Sequence, residues 1–222
     1  MIAAPTKAYA GRIRAVILDF GGVVAFPPDD AQIASAAAEC DLTPEDFLRA
    51  LWLPRLAYDA GLLSPNEYWS EVARLANRTF DEHRIARMID YEIDFWSRLD
   101  DRILHWTKVL RAHGIRTALL SNLPSTLGAA LRMRTGFLEH FDHVTFSFEL
   151  KTVKPEPAIY EHSLSGVGLP AGEVLFLDDK EENVAGARTV GLYAELYTGW
   201  PEFARSTLAA YELPAAAEAR RQ

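Results

Sequence analysis

Five polar residues lie at or just beyond the ends of short apolar runs, and their types are those that phosphoryl transfer requires. Asp19 follows the first run, Ser121 follows the second, Lys154 lies in the loop after the third, and Asp178 and Asp179 follow the fourth. A carboxylate can attack phosphorus and so divide a hydrolysis into two easier steps. Mg²⁺ binds carboxylate, phosphate and water oxygens, and a hydroxyl with an ammonium group can hold phosphoryl oxygens. The set predicts metal-assisted chemistry at one site.

Taken singly, these residues also have ordinary structural explanations. Ser121 with Asn122 is a common strand exit or helix cap, Lys154 could be a solvated loop charge, and two adjacent acids often begin a helix. The joint pattern favours the chemical interpretation, because ligands of open α/β sheets bind beyond the carboxyl ends of the strands.

The apolar runs indicate the elements that position these residues. They occupy 15–18, 117–120, 144–146, 174–177 and, with one Glu, 192–196. Uninterrupted apolar runs are typical of parallel strands covered on both faces. Helical stretches, such as 157–164, separate the later runs, so the sequence predicts a doubly wound parallel α/β sheet.

The interval 27–98 has no strand-like run and follows the period of a helix. Trp69, Val72 and Ala73 share one helix face, and Thr43 and Ser64 are predicted helix N-caps. We expect several packed helices inserted between the first and second strands. The predicted division is a core over 1–26 and 99–222, with the insert over 27–98.

Composition restricts the class of protein and its partners. The 222 residues are 49% hydrophobic and 24% charged, as in an ordinary globular protein, and the formal net charge is -8. Such a charge predicts neither a nucleic-acid nor a membrane partner. Cys40 is the only cysteine, and the Ala-rich start is interrupted by basic residues, so we expect a cytoplasmic protein. A monomer and a homodimer both remain open.

Four stretches resemble the motifs of the haloacid dehalogenase-like (HAD) superfamily. They are ILDFGGV at 17–23, LLSN at 119–122, VKP at 153–155 and FLDDKEEN at 176–183. The resemblance implies a Rossmann-like core and identifies the insert with an α-helical cap. It also implies a hydrolase of phosphoric monoesters that acts on a small phosphorylated metabolite with Mg²⁺ as cofactor.

The resemblance extends residue by residue to catalysis and substrate binding. Asp19 is similar to the family's nucleophile, and Ser121 and Lys154 to the pair that holds the phosphate, with Asn122 beside them. Arg55 is a further candidate substrate ligand, chosen from the residues themselves because it lies between two aromatic residues of the insert. Its alternative role is packing between helices. The tryptophans Trp69, Trp96 and Trp106 are predicted to belong to the core.

The implied metal ligands are Asp19, the backbone carbonyl of Gly21, Asp179 and, in support, Asp178. Gly21 also marks a departure, because most family phosphatases have at this position a second Asp that protonates the leaving group and then activates water. General acid-base help is worth about 10²- to 10⁴-fold. We therefore expect slow cleavage of alkyl phosphates and rank first a sugar 1-phosphate, whose leaving oxygen is less basic. The Gly-Gly variant resembles a branch with sugar 1-phosphatase-like proteins and relatives of epoxide hydrolase N-terminal domains.

Two alternatives remain open at the level of sequence. A metal-independent 2-haloacid dehalogenase would also use Asp19 as nucleophile, although it would gain nothing from the acid pair at 178 and 179. A binding or regulatory protein with impaired turnover would explain Gly21, and it predicts that Gly21→Asp raises activity.

Overall fold

A five-stranded sheet forms the centre of the molecule. The computed structural model describes residues 12–134 and 136–215. The strands are β1 (Ala15–Leu18), β2 (Arg116–Ser121), β3 (His143–Phe146), β4 (Val174–Asp178) and β5 (Tyr193–Leu196). All neighbours pair in parallel, in the order β3-β2-β1-β4-β5. The predicted parallel sheet is confirmed at each of its runs.

The order of the strands places the carboxyl end of β1 at a switch point. From β1 the chain crosses to β2 and β3 on one side, then returns to β4 and β5 on the other. Leu18 of β1 pairs with Leu177 of β4 and with Leu119 of β2. A crevice for a ligand is expected where the connections diverge in this way.

Six helices separate β1 from β2 along the chain, and the first five form the insert. These five are α1 (Asp30–Glu39), α2 (Pro44–Trp52), α3 (Arg55–Asp59), α4 (Pro65–Leu75) and α5 (Glu82–Phe95). The side chains of Thr43 and Ser64 accept hydrogen bonds from the backbone at the starts of α2 and α4, as predicted for N-caps. All five helices lie within the predicted interval 27–98, whose boundaries stay a prediction.

Helices on both faces cover the sheet. They are α6 (Asp101–Ala112), α7 (Ser125–Met133), α8 (Ser147–Leu150), α9 (Pro157–Val167), α10 (Glu181–Thr189), α11 (Trp200–Arg205) and α12 (Thr207–Ala210). Alternate residues of β1 serve the two faces: Val16 and Leu18 pack in one hydrophobic cluster, Ala15 and Ile17 in the other. Residues 1–11, 135 and 216–222 of the predicted core lie outside the described part of the chain.

The insert of α1 to α5 has a hydrophobic cluster of its own. Phe47, Tyr68, Trp69 and Met88 are buried there. Trp69 and, in the main core, Trp106 are fully buried as predicted. Within the described residues, no helix is long and apolar enough to cross a membrane.

Candidate active site

Three acids converge at the carboxyl ends of two adjacent strands. Asp19 follows β1 directly, Asp178 is the last residue of β4, and Asp179 comes next. One carboxylate oxygen of each lies within 4.8 Å of the other two. Asp19 and Asp178 are buried, whereas Asp179 is exposed. The pairing of β1 with β4 produces this convergence, because it brings residues 19 and 178 to the same edge of the sheet.

Lys154 lies between two of these acids as a buried cation. Its Nζ is 2.7 Å from Oδ1 of Asp19 and 2.6 Å from Oδ2 of Asp178, and it also donates to the carbonyl of Leu120 at 3.2 Å. The three N–H groups of an ammonium match these three acceptors. A further acceptor would therefore have to share or replace one of them.

Asn122 fixes the loop that carries Lys154. Its side-chain Nδ2 donates to the Lys154 carbonyl at 3.0 Å, and its Oδ1 accepts from the Lys154 backbone N–H at 2.8 Å. Both ends of the amide are thus occupied by one partner. The geometry supports a positioning role for Asn122, and its predicted contact with substrate stays a prediction.

Asp178 accepts hydrogen bonds on both oxygens. Oδ1 accepts from the Lys180 backbone at 2.9 Å and from Asn183 at 3.0 Å, and Oδ2 accepts from Lys154 and, at 3.1 Å, from Asn183. Asp19 accepts from Lys154 and from the Phe20 N–H on Oδ1 alone, so within the described chain its Oδ2 has no hydrogen bond. Asp19 therefore has more free capacity than Asp178 to accept further hydrogen bonds or to bind a metal ion.

The electrostatics of the site favour a cation. Burial raises the pKa of Asp19, and the nearby Asp178 and Asp179 add to this effect, while Lys154 opposes it. Burial and Asp178 also raise the pKa of Asp179. Burial opposes the charge of Lys154, but Asp19 and Asp178 outweigh it and raise the pKa of the ammonium. Three carboxylates around one ammonium leave an excess of negative charge, which a divalent ion would offset.

Gly22 permits the close approach of Asp179 to the first loop. Its φ is +79°, and a Cβ at this position would lie 2.4 Å from Oδ2 of Asp179. Both the backbone conformation and the missing side chain are therefore needed here.

Trp96 occupies the space next to Gly21. A Cβ on Gly21 would lie 2.8 Å from Cζ3 and 3.0 Å from Cη2 of the Trp96 ring. Trp96 is half-buried, packs against both the main core and the insert cluster, and lines the cavity over the acids. Trp96 thus packs against the core, as predicted, and its ring also faces the site. No sequence pattern indicates that Trp96, unlike Trp69 and Trp106, would also line a cavity.

A cavity of about 650 Å³ lies between the strand ends and the insert. The structure brings most of the predicted site residues together around it, namely Asp19, Gly21, Arg55, Ser121, Asn122, Lys154 and Asp179. Asp178 is fully buried and contacts the site through Lys154. Further polar residues at the cavity are Asp59, Lys180, Glu182 and Asn183. Of these, Asp59 alone comes from the insert.

Arg55 belongs to a second buried group of charges, the insert charge cluster of Arg55, Asp59 and Glu92. Its Nε lies 2.8 Å from Oδ1 of Asp59, and its NH1 donates to Oε1 of Glu92 at 2.5 Å. Burial raises the pKa of both Asp59 and Glu92, and Arg55 opposes the rise. The guanidinium is engaged by protein groups, and its predicted contact with substrate stays a prediction.

The insert charge cluster reaches the core through two hydroxyl groups. The Tyr58 hydroxyl lies 2.9 Å from Oγ1 of Thr126 on α7 and donates to Glu92 at 3.3 Å. Thr126 itself donates to the same Glu92 oxygen at 3.2 Å. These bonds join α3 and α5 of the insert to α7 of the core.

Among the similar proteins, two illustrate how parts of this chain match. The sesquiterpene phosphatase astK of Aspergillus oryzae is 32% identical over 95 residues, which cover 43% of this chain and 48% of that protein. Bifunctional epoxide hydrolase 2 of Mus musculus is 23% identical over 200 residues, which cover 81% of this chain and 35% of that protein. The chain thus spans about half or less of these relatives.

The fold is shared with a solved enzyme along nearly its whole length. The HAD family enzyme BT-2542 of Bacteroides thetaiotaomicron, solved in complex with magnesium and inorganic phosphate, has a TM-score of 0.68 and 22% identity, covering 86% of this chain and 98% of that one. A model of haloacid dehalogenase-like hydrolases matches residues 13–191, and this chain therefore belongs to that family of hydrolases.

Proposed function

We propose that this chain is a Mg²⁺-dependent phosphatase that hydrolyses a small phosphorylated metabolite through an aspartyl-phosphate on Asp19. The observation that carries the proposal is the convergence of three carboxylates within 4.8 Å of one another beside the buried ammonium of Lys154. This arrangement combines a nucleophile, oxygen ligands for a metal and a cation for the phosphoryl group. The phosphatase relative and the magnesium and phosphate bound by the similar enzyme support it.

The donor set fits Mg²⁺. The ion prefers six oxygens at about 2.1 Å, which places neighbouring ligands about 3.0 Å apart and opposite ones about 4.2 Å apart. The carboxylate oxygens lie within 4.8 Å of one another, so small side-chain adjustments suffice. We assign direct contact to Asp19, Asp179 and the Gly21 carbonyl, and a supporting role to Asp178, whose oxygens already accept hydrogen bonds. A bound Mg²⁺ would neutralise charge on the acids and the phosphate.

The residues of the chain then perform two displacements. Asp19 attacks phosphorus, the bond from phosphorus to the leaving oxygen breaks, and the departing oxygen takes a proton from water. A second water molecule then attacks phosphorus and loses a proton to solvent, the bond from phosphorus to the Asp19 oxygen breaks, and inorganic phosphate and the Asp19 carboxylate are released. Ser121 and Lys154 hold the phosphoryl oxygens in both steps, since both line the cavity beside Asp19.

The test is phosphate release from 4-nitrophenyl phosphate by the full chain with Mg²⁺. We expect activity that EDTA removes and that Asp19→Asn lowers by at least about 10³-fold, as for other lost nucleophiles. Asp90→Asn is a matched control, because Asp90 is an exposed acid on α5. Equal turnover by Asp19→Asn and the native chain would exclude the proposed mechanism.

The alternatives predict other results in the same assay. A metal-independent dehalogenase would release halide from a 2-haloacid without Mg²⁺. A protein with impaired turnover would bind inorganic phosphate in a Mg²⁺-dependent way, measurable by calorimetry, without releasing nitrophenol. A Cβ on Gly21 would meet the Trp96 ring, so position 21 has no room for an acid-base group. This observation favours the protein with impaired turnover over the dehalogenase.

We propose that α1 to α5 act as a cap over the site, with boundaries near residues 27 and 98. A sugar-like substrate, a cytoplasmic location, a monomeric or homodimeric state, and the lack of nucleic-acid and membrane partners are likewise expectations from the sequence.

A further inference from the structure

We propose that the site is specific for phosphate esters of apolar alcohols that leave as stable anions, such as aryl or enol phosphates, and that Trp96 determines this specificity. The inference rests on the proposed phosphatase function and names its substrate class. It combines two observations: what occupies the place beside the nucleophile loop, and which side chains form the wall above it.

Trp96 excludes a proton donor from position 21. The atoms nearest to a Cβ on Gly21 are Cζ3, Cη2 and Cε3 of the Trp96 ring, at 2.8, 3.0 and 3.4 Å. This edge of the indole carries only C–H groups. The ring is held by packing on both hydrophobic clusters and lies 6.4 Å from the Phe20 ring, centroid to centroid. A carboxyl group at position 21 would therefore have to displace a packed aromatic side chain.

The leaving group must then depart without a proton from this position. As the bond between phosphorus and Asp19 forms, the bond to the ester oxygen breaks and its electron pair stays on that oxygen. An aryloxide or enolate carries this charge by delocalisation and takes its proton from water afterwards. An alkoxide cannot delocalise the charge, and loss of general acid help costs about 10²- to 10⁴-fold.

The wall of the cavity is apolar on the side of the insert. Within the described chain, the insert lines the cavity with the residues Pro27, Pro28, Ile33, Leu48, Trp52, Arg55, Leu56, Asp59 and Trp96. The polar members Arg55 and Asp59 are paired with each other at 2.8 Å. The other polar lining residues come from the strand ends, the loops after them and the first turn of α10. The phosphate end is thus polar, and the end that faces the leaving group is not.

Two large apolar side chains of this wall lack full cover from the protein. Trp52 is 48% exposed and Leu56 is 62% exposed, and both line the cavity. A hydrocarbon or aromatic leaving group would remove this surface from water, which is favourable. A sugar would instead lose hydrogen bonds to water without gaining partners from this wall. The apolar class therefore replaces the sugar phosphate as our first choice.

The first experiment measures kcat/KM of the full chain with Mg²⁺ on aryl phosphates of graded leaving-group acidity, on cyclohexyl phosphate and on glucose 6-phosphate. We expect a steep dependence on leaving-group acidity, and about 10²-fold or more between aryl and cyclohexyl esters of similar size. A shallow dependence, or equal turnover of glucose 6-phosphate, would overturn the inference. If no ester of the series is hydrolysed, the proposed phosphatase function itself has failed.

The second experiment tests Trp96 with a pair of variants. We expect Gly21→Asp alone to lower turnover, because its side chain meets the Trp96 ring. Combining Gly21→Asp with Trp96→Ala provides space, so turnover of cyclohexyl phosphate should rise about 10-fold or more above Trp96→Ala alone. A rise with Gly21→Asp alone, or no rise in the double variant while thermal unfolding shows it folded, contradicts the role of Trp96.

The third experiment tests the apolar wall and Asp59, an acid of the insert that lines the cavity. Trp52→Ser should raise KM for aryl phosphates about 10-fold and leave the Kd of inorganic phosphate unchanged. Leu62→Ser is the control, because Leu62 is 63% exposed and is not among the residues that line this cavity.

Asp59→Asn should affect the turnover of aryl and cyclohexyl esters alike. A loss confined to cyclohexyl phosphate would identify Asp59 as a proton donor and overturn the inference.

Discussion

The molecule contains two buried charge clusters built to the same plan, one at the sheet edge and one in the insert. In the first, Lys154 lies 2.7 Å from Asp19 and 2.6 Å from Asp178. In the second, Arg55 lies 2.8 Å from Asp59 and 2.5 Å from Glu92. Each places one cation between two carboxylates and leaves an excess of negative charge.

The clusters differ in what surrounds the excess charge. At the carboxyl ends of the strands, exposed Asp179 and Asp19 line a cavity, and within the described residues Oδ2 of Asp19 accepts no hydrogen bond, so the proposed metal ion and phosphate would complete the set. In the insert, Tyr58 and Thr126 hydroxyls already occupy the second oxygen of Glu92. Under the proposed function, the cluster whose coordination is left incomplete is the reactive one.

The largest effects should come from removing the two cations. Arg55→Met leaves two buried carboxylates without a cation, which should cost about 3–5 kcal/mol of unfolding free energy. Lys154→Met should lower kcat by about 10²- to 10³-fold. Mg²⁺ should narrow the Tm gap between Lys154→Met and the native chain, and leave the gap for Arg55→Met unchanged. Thermal unfolding with and without Mg²⁺ measures both Tm gaps. Equal narrowing of the two gaps would show that Mg²⁺ does not distinguish the two charge clusters.

We expect Mg²⁺ to bind the cluster of Asp19, Lys154, Asp178 and Asp179, here called the open cluster, and not the insert charge cluster. Mg²⁺ at 100 times its Kd should stabilise the native chain by about 2.7 kcal/mol. Asp179→Asn should lose most of this gain, because it removes the exposed carboxylate of the set. Glu182→Gln serves as control, since Glu182 is exposed and also lines the cavity. An undiminished Mg²⁺ effect in Asp179→Asn would place the ion elsewhere.

A pair of glycine variants tests how tightly the open cluster is built. Gly114 has a φ of +76° and no atom within 4 Å of an added Cβ, so Gly114→Ala should cost only backbone strain, about 1–2 kcal/mol. Gly22→Ala adds a clash with Asp179 to the same strain and should cost more in urea unfolding. It should also reduce the Mg²⁺ effect, which Gly114→Ala should leave intact. Equal costs would show that Asp179 moves aside freely.

The smallest effect is the contribution of the insert charge cluster to the pH dependence of stability. Burial raises the pKa of Glu92 in the folded chain, so the folded state binds the proton more tightly than the unfolded state. Stability should therefore fall as pH rises above about 4.3 through the folded pKa, with a slope of at most about 1.4 kcal/mol per pH unit. Glu92→Gln should remove this component of the slope. Asp90→Asn, on the same helix, should retain it, and an unchanged slope in Glu92→Gln would refute the assignment.

The strands and the residues at their ends could be predicted because the signals are local. A buried parallel strand is a continuous apolar run, and the residue after it must lie at the carboxyl edge of the sheet. Asp19, Ser121 and Asp178 follow from that rule alone. The helix starts at Thr43 and Ser64 follow from capping preferences.

The cavity wall and the insert charge cluster could not be predicted, because they depend on how helices pack. Asp59 lies four positions after Arg55, but Arg55 and Glu92 are separated by 37 positions along the chain, and no local pattern pairs them. Trp96 directly follows α5 and comes to lie beside Gly21 only when the chain returns to the sheet, and nothing in the apolar pattern distinguishes it from Trp69. Tertiary contacts of this kind leave no periodic signal.

The hydroxyl bonds at Thr126 have a consequence for the release of product. Thr126 is the second residue of α7, whose chain leaves the sheet through Ser121 and Asn122. If the five helices swing outward, Thr126 must separate from both Tyr58 and Glu92. Opening would thus expose a buried carboxylate and free the first turn of α7, and under the proposed function it would couple the exit of phosphate to the loosening of the loop that holds it.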